Sequence, residues 1–389
     1  MNVVLEAGLN ADAKRGIDYY IENVVFALAE ADRENRYTVF SYFFRDYARK
    51  RARLPAPAAP NFELAARRFP ESLVRALEER RGIPLVEPLL LGRRADVYHA
   101  VGGGRLPRLR RAKGVLTFFD LADETRAPDK DPGRKISAPA LLDAARRADR
   151  IVATGEQTKK NLMLYYGLPE AKIAVIPTGV NRRVFRPVED ARVVEHVRRR
   201  YGLPERHLML IGPFVPPQRN NAEAVLKAFA AVRARGAAGD CALSLVGARG
   251  PGLDAVLARA RALGLEDRTI ATGYAALEDL PALYGSALAL VHPTSAEGFG
   301  FGLEAMACGV PFVTSNLPGV VEAVGDAALT VPPADEARLA EALEAVLARP
   351  ALRAELRAKG LARAAGFPYS MVAGKLLAVY ESLAREARA

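Results

Sequence analysis

The chain has 389 residues, half of them hydrophobic and 26% charged, which suits a globular protein of two or three domains with a sizeable core. Its formal net charge is +11, and no apolar run reaches the roughly 18 residues that a membrane-spanning helix needs. Met1–Leu5 is too short, and lacks the basic start, for a secretory leader, so the expectation is a chain that begins at its own first strand.

Short β-like runs alternate with longer helical ones, the pattern of parallel sheets with crossover helices. In the first half the strand candidates are Asn2–Leu5, Tyr37–Phe40, Val97–His99, Gly114–Phe119, Arg150–Thr154 and Ile173–Ile176, with helices such as Ile21–Asp32 and Ser137–Ala148 between them. Leu54–Pro60 is a proline-rich loop, too short to separate domains. Around 177–190, "PTGVNRRVFRPVED", periodicity disappears, and an interdomain linker is expected there. The pattern then restarts with the strand His207–Gly212 and the helix Asn221–Ala234, followed by strands at Cys241–Val246, Arg268–Ala271, Ala287–His292 and Val310–Thr314. Asp335–Ala365 reads as a helix pair, Phe367-Pro-Tyr-Ser interrupts it, and Met371–Arg385 is a strong helical stretch. The fold class is therefore α/β, with two Rossmann-like doubly wound domains.

The charge is uneven. Residues 1–190 carry 34 Lys/Arg against 25 Asp/Glu, and residues 191–389 carry 22 against 20, so the first half owns the basic surface. Phe43–Arg53 and Arg105–Lys113 are its densest stretches, with apolar residues interleaved as on a surface that meets acidic lipid, or alternatively on a solvated arginine-rich face. No nucleic-acid motif accompanies them. Cys241 and Cys308 stand far apart in apolar segments without metal-like spacing and read as buried free thiols of a reducing cytoplasm. His99, His196, His207 and His292 have no ligand spacing, and Asp129-Lys-Asp131 lies in a Pro/Gly loop that no apolar strand precedes, so no metal site is expected. There is no serine nucleophile elbow and no Gly-Lys-Ser/Thr phosphate loop.

Ligands of doubly wound sheets bind outside the carboxyl ends of the strands, so strand-to-helix loops should carry the chemistry. The most unusual is Ser295–Gly309, "SAEGFGFGLEAMACG", where the amides of Gly298–Gly302 would point outward at a helix start and suit a phosphate or sugar hydroxyls. A dinucleotide fingerprint fails on context, since the glycines do not follow the strand directly and the next strand ends in Thr314-Ser-Asn316 without an acid for a ribose. Glu304 alone could be a helix-start charge. With Glu297 it makes two acids flanking an amide-rich turn, which suits ribose and hexose hydroxyls.

The stretch 292–333, "HPTSAEGFGFGLEAMACGVPFVTSNLPGVVEAVGDAALTVPP", resembles the donor-site region of retaining GT-B glycosyltransferases of the family 4 type, which carry a Glu, seven residues, Glu motif. Residues 148–187 and 273–295 are similar to further segments of that family in the right order. The resemblance implies two Rossmann-like domains facing across a cleft: 1–186 for the acceptor, 187–366 for the nucleotide sugar, and 367–389 as a helix crossing back to the first. It implies that Glu304 holds the nucleotide ribose, that Glu297 lies by the donor sugar, and that amides around Phe299, Gly300 and Phe301 contact sugar hydroxyls. Arg219 matches the cation that neutralises the diphosphate, Asn220 its neighbour, Gly16 the first-domain turn against the donor phosphates, and Asp120 the acid of the family's His-Asp pair. Asp120, Glu297 and Arg219 would carry catalysis.

The implied activity is transfer of a hexose of the mannose or glucose type, with retention and without a metal or other cofactor. The donor would be a nucleoside diphosphate sugar and the acceptor a hydroxyl on a glycan or lipid-linked glycan. The location would be cytoplasmic, with an anionic membrane face as a further partner. Four departures stand out: Glu297 and Glu304 are separated by six residues, Pro213 stands where the family has Arg, Phe119 where it has His, and Asp18 where it has a second glycine. They keep open an alternative, a catalytically impaired homologue that binds a nucleotide sugar or a membrane as the partner of an active transferase.

Overall fold

The computed structural model describes residues 1–8, 16–92, 94–103, 105–121, 138–214, 220–295 and 301–387. The chain divides into two units, Met1–Gly179 with Tyr369–Ala389, and Val180–Pro368, so the division falls at 179/180 rather than at 186/187.

Unit 1 runs β1 (Asn2–Glu6), α1 (Gly16–Ala31), β2 (Arg36–Tyr42), α2 (Tyr47–Arg51), β3 (Phe62–Arg67), α3 (Glu71–Arg81) and a π-helical turn over Val86–Leu91. Then follow β4 (Val97–Ala100), β5 (Lys113–Phe118), α4 (Ala138–Arg147), β6 (Arg150–Ala153), α5 (Glu156–Tyr166) and β7 (Ile173–Val175). All seven strands form one parallel sheet in the order β3-β2-β1-β4-β5-β6-β7. Successive side chains alternate across it. Val3 and Leu5 join the layer with α1, and Val4 the opposite layer with Tyr98 and Leu116. Between Asn61 and Asp96, where no periodicity stands out, the chain forms β3, α3 and the π turn.

Unit 2 runs α6 (Ala191–Arg200), β8 (His207–Ile211), α7 (Ala222–Ala234), β9 (Ala242–Val246), α8 (Pro251–Ala262), β10 (Thr269–Gly273), α9 (Leu280–Ser286) and β11 (Ala289–His292). It ends with α10 (Phe301–Ala307), β12 (Phe312–Ser315), α11 (Pro318–Val324), β13 (Leu329–Val331), α12 (Glu336–Ala348) and α13 (Pro350–Ala365). Its parallel sheet has the order β10-β9-β8-β11-β12-β13. β8 and β9 are buried along their whole length, as both faces of a doubly wound sheet require. Aspartate side chains cap the starts of α6 and α12: Asp190 accepts from the amide of Arg192, and Asp335 from that of Arg338, each at 2.9 Å.

The last helix, α14 (Tyr369–Glu386), belongs to unit 1. Val372, Ala373, Leu376, Tyr380 and Leu383 make one buried stripe at helical spacing in the layer that also holds Ile21, Val24 and Leu28 of α1. Burying such a leucine contributes about 1.5–3 kcal/mol, so the stripe explains why α14 stays with this sheet.

Both sheets have a switch point where the chain reverses its direction of winding, between β1 and β4 in unit 1 and between β8 and β11 in unit 2. At such points loops diverge above the carboxyl ends of the strands and leave room for a ligand.

Candidate active site

In unit 2 the β8 loop begins at Gly212, whose amide donates to the carbonyl of Val246 at 2.7 Å, binding it to the end of β9. Phe214 is buried between this loop and that of β9. A Cβ on either Gly212 or Gly247 would lie 2.9 Å from its ring, so glycine is required on both sides. The Gly212–Pro213 peptide is cis. Asn220, 2% exposed, turns its amide inward to the carbonyl of Ile211 at 3.4 Å, while its Oδ1 is buried without a hydrogen-bond partner among the described residues. Next to it Asn221 has φ 53° and donates from Nδ2 to the carbonyl of Pro333 at 2.5 Å, which fixes the turn into α7. Arg219 lies outside the described residues.

Across the switch point, β11 ends at His292, a buried residue whose imidazole burial pushes down to about 4, so it is neutral. Glu297, Phe299 and Gly300 lie outside the described residues, and of Phe301 the backbone opens α10. Glu304 sits in the first turn of that helix. It is half-buried, burial pushes its carboxyl up to about 7, and among the described residues that carboxyl has no hydrogen-bond partner. Tyr284 of α9 lies near it, fully buried, its hydroxyl also without a partner among the described residues. Burial, and after it the charge of Glu304, pushes the Cys308 thiol up to about 12, so this cysteine is no nucleophile. Gly302 owes its identity to packing: a Cβ there would stand 2.7 Å from the ring of Phe312, where α10 presses on β12.

In unit 1 Gly16 opens α1, exposed, with open space where a Cβ would be. Asp18, in the first turn, is buried. Asp120 is half-buried just beyond the end of β5. The carbonyl before it, that of Phe119, accepts from the hydroxyls of Thr154 at 2.8 Å and Thr158 at 3.3 Å, so β6 and α5 hold this loop. The Phe119 ring meets Tyr20 of α1 edge-on, at 5.0 Å between centroids and 87° between planes. Phe119 therefore does packing work inside the unit, and through it the Asp120 loop sits against α1. The structure thus brings Gly16's helix and Asp120 to the carboxyl edge of one sheet, and Asn220, Phe301 and Glu304 to that of the other.

A second group in unit 1 escaped the sequence reading. Glu6 at the end of β1, Tyr42 of β2, Tyr98 of β4, Glu78 of α3 and Arg105 lie close together, and Arg105 pairs with Glu78 at 3.3 Å. The one sequence signal was an acid closing the apolar run Val3-Val4-Leu5. Glu78 and Glu87 also accept backbone amides of the basic loop: Glu78 that of Arg108 at 3.4 Å, and Glu87 those of Arg110, Arg111 and Ala112 at 2.5, 3.0 and 3.2 Å. Lys113 pairs with Asp149 at 3.0 Å, so much of this basic stretch is satisfied internally rather than offered to a partner.

Comparison with known proteins agrees with this architecture. Residues 15–184 match the family model Glycosyltransferase Family 4, and residues 205–349 the model Glycosyl transferases group 1. The chain is 31% identical over 309 residues to D-inositol 3-phosphate glycosyltransferase 1 of Catenulispora acidiphila, covering 74% of this chain and 72% of that protein. It is 32% identical over 267 residues to D-inositol 3-phosphate glycosyltransferase of Acidothermus cellulolyticus, covering 66% of this chain and 58% of that one. Sucrose-phosphate synthase of Thermosynechococcus elongatus superposes with a TM-score of 0.73 at 21% identity over 98% of both chains. With two doubly wound units, family models over both halves and relatives of this identity, the chain belongs to the family 4 glycosyltransferases and has their GT-B fold.

Proposed function

We propose that the protein transfers a hexose of the mannose or glucose type from a nucleoside diphosphate sugar to a hydroxyl of a glycan or lipid-linked glycan, with retention and without a metal. The observation that carries this reading is Glu304, a half-buried carboxyl without a partner among the described residues, at the carboxyl edge of a parallel sheet. A ribose diol supplies the two donors that such a group lacks. Arg219 and the loop amides would take up the charge that develops on the departing diphosphate, and Glu297 and Asp120 would hold the donor sugar and stabilise its oxocarbenium-like centre. The diphosphate itself would accept the proton of the incoming hydroxyl on the same face. Thermal shift against a panel of nucleoside diphosphates and their sugars tests the binding step, and release of diphosphate from the one that binds tests turnover. Stabilisation by none of them would end this reading.

Phe119 motivates a second reading, a chain that binds its donor but turns it over poorly. Its ring packs on Tyr20 and offers no hydrogen bond to a sugar. Binding without diphosphate release, with glycan and lipid acceptors present, would favour it.

An anionic membrane face is the further partner we propose, at the Phe43–Arg53 stretch. Phe44 is 52% exposed with the Arg68 guanidinium 5.5 Å over its ring, and Arg45, Arg49 and Arg51 are exposed beside it in sequence. Cosedimentation with vesicles rich in phosphatidylglycerol, lost in Phe44→Ser with Arg49→Ser, is the expected result. No helix among the described residues is long and apolar enough to cross a membrane.

A further inference from the structure

Four tyrosines, Tyr37, Tyr98, Tyr284 and Tyr380, are fully buried. Three of them give their hydroxyls to a partner: Tyr37 donates to Asp32 at 2.6 Å, Tyr98 pairs with Glu6, and Tyr380 with His99 at 2.6 Å. Tyr284 has no such partner among the described residues. A phenylalanine would fill the same space without burying a hydroxyl, so the oxygen at position 284 costs stability and calls for a use.

Its surroundings point to one. Tyr284 packs in the same layer as Leu303, Ala305, Met306 and Cys308 of α10 and the turn after it, on both sides of Glu304 in the chain, and the Glu304 charge acts on it more strongly than that of Cys308. Burial raises the Glu304 carboxyl to about 7, so the ionised form lacks solvation in this place. A tyrosine hydroxyl is a donor, and a glutamate side chain has the torsional freedom to swing a carboxylate oxygen toward it.

The other titratable groups on these helices and on the elements packed against them have their own roles. The Cys308 thiol, pushed up to about 12, stays protonated. On α9, Asp279 accepts from Tyr201 at 2.7 Å and Arg200 of α6 at 3.1 Å. His207 beside Ser286 and His292 at the end of β11 are both pushed down to about 4 and are neutral. On α13, Arg357 donates to the carbonyl of Gly309 at 3.0 Å, Arg363 to those of Ala323 and Glu322, and Lys359 pairs with Asp326 and Glu355. Glu322 is the one acid of α11.

We propose that Tyr284 is a positioning residue for Glu304: its buried hydroxyl donates to the ionised carboxylate from the core side and leaves the outward lone pairs to the ligand. That this ligand is a ribose diol rests on the transferase reading, whereas the contact between hydroxyl and carboxylate does not.

Two measurements on the full chain test it. The first needs no ligand: melting midpoints of the parent, Glu304→Gln, Tyr284→Phe and the double variant from pH 5 to pH 9. Subtracting the Glu304→Gln profile isolates the fall in stability as Glu304 ionises, and in the Tyr284→Phe background that fall should lie about one pH unit higher, with the midpoint at pH 5 at or above the parent's. Superimposable falls, or a lower midpoint at every pH without a displaced fall, would overturn the proposal and make Tyr284 a packing residue. The second is isothermal titration with UDP and GDP. Tyr284→Phe should bind about fivefold more weakly at pH 7 and like the parent by pH 9, because only the ionised fraction is competent. An equal loss at every pH would also overturn the proposal. Binding by the parent that Glu304→Ala leaves intact, or no binding of either nucleotide, would instead sink the ribose role of Glu304, and the ligand-free profiles would still decide the contact.

Discussion

Nδ1 of His99 lies 2.6 Å from the hydroxyl of Tyr380, and Nε2 of the same ring lies 2.8 Å from Oγ1 of Thr117, so one imidazole joins the last helix to the strand that leads to Asp120. The ring is fully buried, and burial pushes it down to about 3, which makes it neutral. One of its nitrogens then donates and the other accepts, and both hydroxyls can complement either tautomer. Replacing Tyr380 by Phe leaves Nδ1 without a partner inside an apolar layer. The expected cost is about 1–3 kcal/mol, read by urea denaturation followed by circular dichroism. A change under 0.5 kcal/mol would mean that the hydroxyl is not holding the ring.

The same residue makes the fold acid-labile in a defined window. A buried histidine whose folded pKa lies below its unfolded value binds fewer protons when folded. Its contribution is complete above about 6.5 and is lost as pH falls toward about 3. Within that window His99 should remove about 1.4 kcal/mol of stability per pH unit. Subtracting the pH profile of His99→Asn from that of the parent isolates this slope from those of His207 and His292, which burial also pushes down to about 4. Parallel profiles would show that His99 is hydrated or already charged.

Glu304 has the opposite sign. Burial raises its pKa to about 7, so folding favours its protonated form, and its contribution to stability is lost as pH rises from 4.5 through 7. In the role proposed for it the carboxylate accepts from the ribose, so nucleoside diphosphate affinity should rise over the same range in which the fold loosens slightly. Glu304→Ala should weaken binding by about 1–3 kcal/mol, and Glu304→Gln should flatten its pH dependence. Isothermal titration near pH 6 and pH 8 reads both effects, and an affinity in the alanine variant equal to the parent's would remove Glu304 from the nucleotide site.

What was legible in the chain follows from what sequence patterns record. Val3-Val4-Leu5 and Leu208–Ile211 are apolar on both faces and announce buried parallel strands. Phe62–Arg67 and Leu329–Val331 do not, because each is an edge strand left partly open, so β3 and β13 carry no continuous apolar run. Glu304 stood out through its local setting of glycines and a helix start. Glu6, Tyr98 and Arg105 could not stand out, since they meet only through the crossover that sets β4 beside β1, and no spacing encodes that pairing. Arg105 and Lys113 looked like surface charge because their partners, Glu78 and Asp149, lie 27 and 36 residues away. At position 119 the departure from the family pattern was plain, whereas the packing that replaces it, on Tyr20, needed the fold.

Gly302 offers a way to separate packing from ligand approach within the glycine-rich turn. Its missing Cβ would stand 2.7 Å from Cε1 and 3.3 Å from Cδ1 of Phe312, and 3.3 Å from Cγ1 of Val324, so there is no free space on that side of α10. Gly302→Ala should destabilise unit 2 by about 1–3 kcal/mol through overpacking, and trimming the opposing ring with Phe312→Leu should return part of that loss. If Gly302 were needed only for a ligand, the alanine variant would keep its stability and lose nucleotide affinity, and Phe312→Leu would restore nothing.

Glu87 is the clearest single anchor of the basic loop in unit 1. Its side chain is buried, and its two oxygens accept three successive backbone amides, from Arg110 to Ala112. A carboxylate can accept from all three at once, while a glutamine turns one donor of its own toward them. Glu87→Gln should therefore cost about 1–3 kcal/mol, and Glu87→Ala at least as much, because the amides left behind are partly buried. Hydrogen exchange at Arg110, Arg111 and Ala112 reads the effect locally: tenfold or faster exchange there in Glu87→Gln, with β4 unchanged, is expected. Unchanged protection at those three amides would mean that the loop is held by Arg105 and Arg108 on Glu78 instead.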